Sequence, residues 1–187
     1  MGAGTFDEAL ALIDARVAPL ERESVPLAEA AGRTLAAPLL ARADAPPVAT
    51  SAMDGYAVIH AATQPGVPLV VIGESRPGAR FAAGVSAGQA VRIFTGAALP
   101  PGADCVIMQE YAERSGAQVR FAPGYGPARY VRAAASDFAA GDMLLPAGTW
   151  LSPRAMVAAA AADRAELLVV RRPCLAILST GDELAAP

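Results

Sequence analysis

The chain is poor in the residues that most often announce a site. Its 187 residues include one histidine, two cysteines and one tryptophan. His60 has no acidic or cysteine neighbour at ligand spacing, so a surface or packing role is expected of it. Ser51 lacks a G-x-S-x-G context, and a lone histidine makes no triad. Cys105 and Cys174 lie far apart in apolar surroundings, which excludes a disulfide framework and a zinc spacing. Both are expected to be buried free thiols in a reducing compartment. No P-loop or dinucleotide fingerprint is present.

Charge of one sign is also scarce. The formal net charge is -3, and Arg171-Arg172 is the only adjacent basic pair, so no nucleic-acid partner is expected. The longest apolar run, Ala155 to Ala162, is too short to span a bilayer, so no membrane association is expected. Met1 to Gly4 carries no basic region and runs straight into Asp7 and Glu8, unlike a signal peptide. These absences point to the cytoplasm.

What is present is apolar mass and punctuation. Hydrophobic residues make up 54% of the chain and charged ones 18%, enough to bury a core. Seventeen glycines and sixteen prolines, spread along its length, favour many short elements over a helical bundle. The expected fold class is mainly β with short helices, α+β.

Thr5 to Leu20 reads as a helix, with Thr5 as cap and Glu8 completing a capping box. Phe6, Leu10, Ile13, Val17 and Leu20 share one face, expected to form core first and a partner surface second. Pro26 to Ala31 reads as a second short helix with Gly32 closing it, and Arg33 to Leu40 as extended. Leu69 to Ile72, Val91 to Phe94, Val106 to Met108, Val119 to Phe121 and Tyr130 to Arg132 are short strand-like runs between glycine turns, suiting a small barrel or sandwich. Met143 to Leu145 reads as another strand. Ser152-Pro153 starts a helix that runs to about Asp163. Leu167 to Val170 and Cys174 to Leu178 read as strands, the second suiting a buried parallel strand.

Several residues could carry chemistry. Asp54 sits in Ser51-Ala52-Met53-Asp54-Gly55, after Pro46-Pro47. A carboxylate beside a glycine can meet a ligand or a hard cation closely, although an ordinary Asp-Gly turn gives the same dipeptide. Thr95-Gly96 ends a strand-like run, where a hydroxyl and nearby N–H groups could serve an oxyanion or simply satisfy a turn. Asp137 follows Arg132 in a loop, where a solvated aspartate is the plain reading. Asp182 and Glu183 follow the Cys174 to Leu178 run, where α/β sheets bind ligands, and adjacent carboxylates there can hold Mg²⁺. Tyr56, Tyr125 and Tyr130 could stack on a heterocycle or pack.

Taken in order, these pieces resemble the first half of the molybdopterin molybdenumtransferase family, MoeA-like, to which the gephyrin E domain belongs. The resemblance is carried by Gly32 to Ala36, Ser51 to Val58, Arg92 to Pro100, Gly102 to Glu110, Ala140 to Asp142 and Ser179 to Leu184. It implies an enzyme that takes adenylylated molybdopterin and molybdate, releases AMP and places molybdenum on the pterin dithiolene with Mg²⁺. By resemblance, Asp54, Thr95, Asp137 and Glu183 are catalytic, and Ser51, Gly55, Gly96 and Arg132 bind ligand. Asp54 and Glu183 would position a hydrated metal ion or the reacting phosphate, Asp182 and Glu183 would be the metal ligands, and Thr95 would donate to an anion. The partners implied are a second copy of the protein, in an elongated homodimer with a composite cleft, and a molybdopterin adenylyltransferase.

The resemblance also implies a segmentation. Residues 1–21 would be the first helix of an α/β domain, and 22–43 with 142–172 a two-piece linker domain. Residues 44–141 would be an inserted β-barrel-like domain, and 173–187 the first strand of the α/β domain. On that reading the chain is an N-terminal part, inactive alone; a non-catalytic dimerisation or scaffold module is the alternative. The chain departs from the family pattern at Tyr130-Val131-Arg132, where the family shows N-I-R, at Ala135-Ser136-Asp137, where it shows a G-E-D triplet, and at Val48 and Thr50, where Phe and Asn are usual.

Overall fold

The structure is a computed structural model, and it describes residues 5–126 and 129–177. In chain order its regular elements are α1 (Phe6–Asp14), β1 (Arg22–Pro26), β2 (Leu39–Leu40), β3 (Thr50–Ser51), β4 (Gly55–Val58), β5 (Leu69–Ser75) and β6 (Gln89–Ile93). They continue through β7 (Cys105–Met108), β8 (Ala112–Ser115), β9 (Gln118–Phe121), β10 (Val131–Arg132), β11 (Met143–Leu145), α2 (Pro153–Ala161) and β12 (Glu166–Val170). The fold class is mostly β with two helices, as the glycine and proline punctuation implied. The chain divides into two units, one of residues Ala41–Asp142 and one of the flanking segments.

The central unit is organised by one six-stranded sheet in the order β7-β4-β6-β5-β9-β8. Only β5 and β6 run parallel; the other neighbours are antiparallel. Alternation along the strands sends side chains to two separate cores. Tyr56, Val58, Ala90, Cys105, Ile107, Val119 and Phe121 fill one. Ala57, Val91, Ile93 and Val106 meet Val85 and Ala97 in the other. With both faces covered, every residue of β4 is buried. This explains why Gly55 to Val58 lacks the polar-apolar alternation of a half-exposed strand. The edge hairpin β8–β9 shows the alternation: Val119 and Phe121 are buried, Gln118 and Arg120 exposed. Tyr56 and Tyr125 both meet the Phe121 ring edge-on, so these two tyrosines pack.

The flanking unit pairs β1 with β12 and β2 with β11, both antiparallel. Val25, Leu35, Leu39, Leu151, Ala159, Leu167 and Val169 form its core. Helix α2 starts as its sequence requires: Ser152 Oγ accepts the Ala155 N–H at 3.3 Å, and Pro153 occupies the first turn. Arg33 is buried, and its guanidinium pairs with Glu23 and donates to the Val170 carbonyl at 2.8 Å.

Five expectations change. Helix α1 keeps its capping box, with Thr5 N–H donating to Glu8 and Glu8 N–H to Thr5 Oγ1, but it ends at Asp14 rather than near Leu20. Its apolar face is not core: Phe6 is 77% exposed and Val17, beyond the helix, 71%. The expected helix at Pro26 to Ala31 is a single 3-10 turn, Leu27–Glu29, because β1 runs through Pro26. Residues 174–177 form no strand among the described residues. With no neighbour to complete a ladder there, Leu175 and Ile177 are exposed. Cys174 is therefore exposed, while Cys105 is buried as expected.

Candidate functional site

Residues 51–54 form the loop between β3 and β4, and Ser51 shapes it. Its hydroxyl donates to the Met53 carbonyl and accepts the Met53 N–H at 3.3 Å. Its N–H donates to the Ala97 carbonyl, and its carbonyl accepts the Gly96 N–H at 2.8 Å. Ser51 is 2% exposed and all its polar atoms are used, so it builds the loop. The Gly96 N–H is spent in the same way. Gly96 itself has φ +81, a left-handed turn conformation that suits glycine.

That loop delivers Asp54 to Thr95. Asp54 Oδ1 accepts the Thr95 N–H at 2.8 Å and the Thr95 hydroxyl at 2.7 Å. The Asp54 carbonyl accepts the Gln109 N–H at 3.0 Å. The carboxyl is held below its ordinary value, first by the Thr95 N–H and then by the Thr95 hydroxyl. Partial desolvation acts the other way, and the Arg92 charge adds to the lowering. Asp54 is thus an ionised carboxylate in a fixed orientation, and Thr95 donates to it within the chain. Both bonds fall on Oδ1, leaving Oδ2 outside the pair.

Gly55 follows, and no other residue fits there. A Cβ on it would overlap the Ile107 carbonyl oxygen on the adjacent strand β7. Its role is the close approach of β4 to β7, which sets the root of the Asp54 loop.

Asp137 and Arg132 are brought together as an exposed ion pair. The Asp137 N–H donates to the Ala45 carbonyl at 2.9 Å. Strand β10 places Arg132 opposite Thr50 and Val131 opposite Ser51, so this pair is tied to the strand that leads into the Asp54 loop. No hydrogen bond joins the two pairs among the described residues. Ala135 has φ +56, a left-handed conformation in which a Cβ is strained. Asp182 and Glu183 lie outside the described residues.

No group of three or more His, Cys, Asp or Glu that could hold a metal ion occurs among the described residues. Asp54 offers one carboxylate with an uncommitted oxygen. That fits the habit of Mg²⁺, which takes one or two protein carboxylates and completes its shell with waters and substrate phosphates. His60 belongs to no such group among the described residues; its backbone N–H donates to Asp104 Oδ1 at 2.7 Å.

The residue that sequence reasoning missed is Arg92. It stands on β6 opposite Tyr56, and its guanidinium lies 4.7 Å from the Phe94 ring centroid and 5.3 Å from that of Tyr56. It donates to the Gly55 carbonyl at 2.9 Å and to Gln109 Oε1 at 2.6 Å. In the sequence it stands at the head of the Arg92 to Pro100 stretch, a single cation between the apolar Val91 and Ile93.

Residues 4–162 match the family model of the MoeA N-terminal region, domains I and II. A molybdopterin molybdenumtransferase of Nostoc sp. is 42% identical over 170 residues, covering 88% of this chain and 39% of the relative. One of Haemophilus influenzae is 36% identical over 167 residues, covering 89% of this chain and 41% of the relative. A crystal structure of a molybdopterin biosynthesis MoeA protein from Pyrococcus horikoshii superposes with a TM-score of 0.79 at 29% identity. It covers 89% of this chain and 44% of that one. The chain thus spans less than half the length of these relatives. With its match across most of its residues and a fold shared with a solved member, the chain belongs to the MoeA N-terminal region family.

Proposed function

We propose that this chain supplies one wall of a site that inserts molybdenum from molybdate into adenylylated molybdopterin, with release of AMP, in molybdenum cofactor biosynthesis. The observation that carries the reading is the Asp54–Thr95 pair, an ionised carboxylate held in one orientation at a loop. Both substrates are anionic. A carboxylate faces them productively only with a cation between, and Mg²⁺ would supply that charge at Asp54 and, by family resemblance, at Asp182 and Glu183. Asp54 orients, and Thr95 keeps it ionised and aimed. Arg132, about half exposed and paired with Asp137, supplies a positive group for a substrate oxyanion.

The same reading proposes a homodimer, a molybdopterin adenylyltransferase as the protein that delivers substrate, and a cytoplasmic location. Among the described residues no helix is long and apolar enough to cross a membrane. The test is a chimera in which residues 1–177 replace the matching stretch of the Nostoc sp. relative. Molybdate-dependent AMP release is expected; an inert, folded chimera contradicts the reading.

The exposed face of α1 favours a second role, as a dimerisation or scaffold surface. Phe6, Leu10 and Ile13 share it, and none is buried. Light scattering across a concentration series tests this: dimer is expected, and a strict monomer removes it.

A further inference from the structure

We propose that Arg92 is a positioning residue for the Asp54–Thr95 pair, holding both partners through their neighbours. This rests on the reading of that pair as the functional site.

Neither member of the pair touches the Arg92 guanidinium by hydrogen bond; the residues flanking them do. Gly55, next to Asp54, gives its carbonyl to one arm of the guanidinium at 2.9 Å. Gln109, whose N–H fixes the Asp54 carbonyl, gives its Oε1 to the other arm at 2.6 Å. Phe94, next to Thr95, has its ring 4.7 Å from the guanidinium carbon. One planar cation therefore joins the residue after Asp54, the residue before Thr95 and the residue that clamps Asp54 from the turn after β7.

The chemistry suits arginine alone. A guanidinium donates in two directions while presenting a flat face to an aromatic ring; a lysine ammonium does neither in a fixed geometry. The nearby carboxylate on β5 does not divert it. Glu74 stands opposite Arg92 in register, but it forms its ion pair with Arg76, whose guanidinium also lies over Phe94 at 5.3 Å. Arg92 is only half-buried, so its charge is screened and its effect is mainly geometric.

The test uses the Thr95 amide, which reports the pair directly. Its hydrogen exchange is measured by NMR in the 187-residue chain, in Arg92→Gln and in Arg92→Lys, with Asp54→Asn as the control that alters the acceptor. Arg92→Gln is expected to speed Thr95 exchange roughly 2- to 10-fold, the range set by weakening one hydrogen bond. The edge strands β8 and β9 should keep their protection. Arg92→Lys should fall between the two. A folded Arg92→Gln chain with unchanged Thr95 exchange overturns the proposal. Should that variant fail to fold, Gln109→Ala decides, since it removes one arm and leaves the aromatic contacts. Faster Thr95 exchange there supports the proposal, and unchanged exchange overturns it. AMP release by the chimera is a separate readout. An inert chimera with a responsive Thr95 amide sinks the functional reading and leaves the positioning role standing.

Discussion

Asp54 Oδ1 accepts both the N–H and the hydroxyl of Thr95, a residue 41 positions later, at 2.8 and 2.7 Å. Two donors on one oxygen stabilise the ionised form over the neutral one. Thr95→Val removes the hydroxyl and keeps the N–H, so the Asp54 titration midpoint should rise part of the way towards its ordinary value. Thr95→Ser should leave it low. Carboxyl ¹³C NMR titration reads both, and an unchanged midpoint in Thr95→Val would rule out the hydroxyl contribution. A lowered folded value means that the contribution of Asp54 is fully present above its ordinary value of 3.8 and is lost as pH falls through the folded value. Asp54→Asn should flatten that part of the acid limb and leave the rest unchanged.

Gly55 has no room for a side chain against the Ile107 carbonyl. Gly55→Ala should destabilise the chain by about 1–3 kcal/mol, the range for forced overpacking, because backbone must move to admit the methyl. Urea unfolding measures it. A midpoint equal to that of the parent would show that β4 and β7 are not held as close as they stand.

Ala135 is the counter-case, a side chain where the backbone prefers none. Its φ of +56 is a conformation that glycine adopts without a Cβ penalty. Ala135→Gly should stabilise by roughly 0.5–1 kcal/mol, since relief of left-handed strain exceeds the added freedom of the unfolded chain. The same unfolding measurement checks it, and a loss of stability would contradict it.

The two thiols should separate cleanly. Cys105 is buried, and burial, reinforced by the Asp104 charge and partly offset by Arg129, pushes its thiol up to about 11. Cys174 is exposed. An aromatic disulfide reagent should titrate one thiol in the folded chain and two in denaturant. Two fast-reacting thiols in the folded state would mean that β7 is accessible.

Much of this was legible in the residues, and the failures have physical causes. The strands at Leu69, Val91, Val106 and Val119 were visible because each joins β-favouring residues to a glycine turn. Strand β4 was missed as a strand because burial on both faces erased its alternation. The length of α1 was overread because apolar spacing continued past Asp14, while the backbone had already closed: the Arg16 and Val17 N–H groups both return to the Ile13 carbonyl. Asp54 and Thr95 could be nominated singly, but their pairing depends on a loop closed by Ser51 and Gly96, which no local pattern encodes. Arg92 was harder still, since its partners come from β4 and from the turn after β7, and only the sheet order brings them together.

The proposed function requires Asp54 to be a working carboxylate of the site. Its most direct test is molybdate-dependent AMP release by the chimera, compared between the parent and Asp54→Ala. The expected result is a loss of about 10²-fold or more in kcat/KM, the scale seen when a preorganised electrostatic group is removed. Rates within about twofold of the parent, in a folded variant, would contradict it.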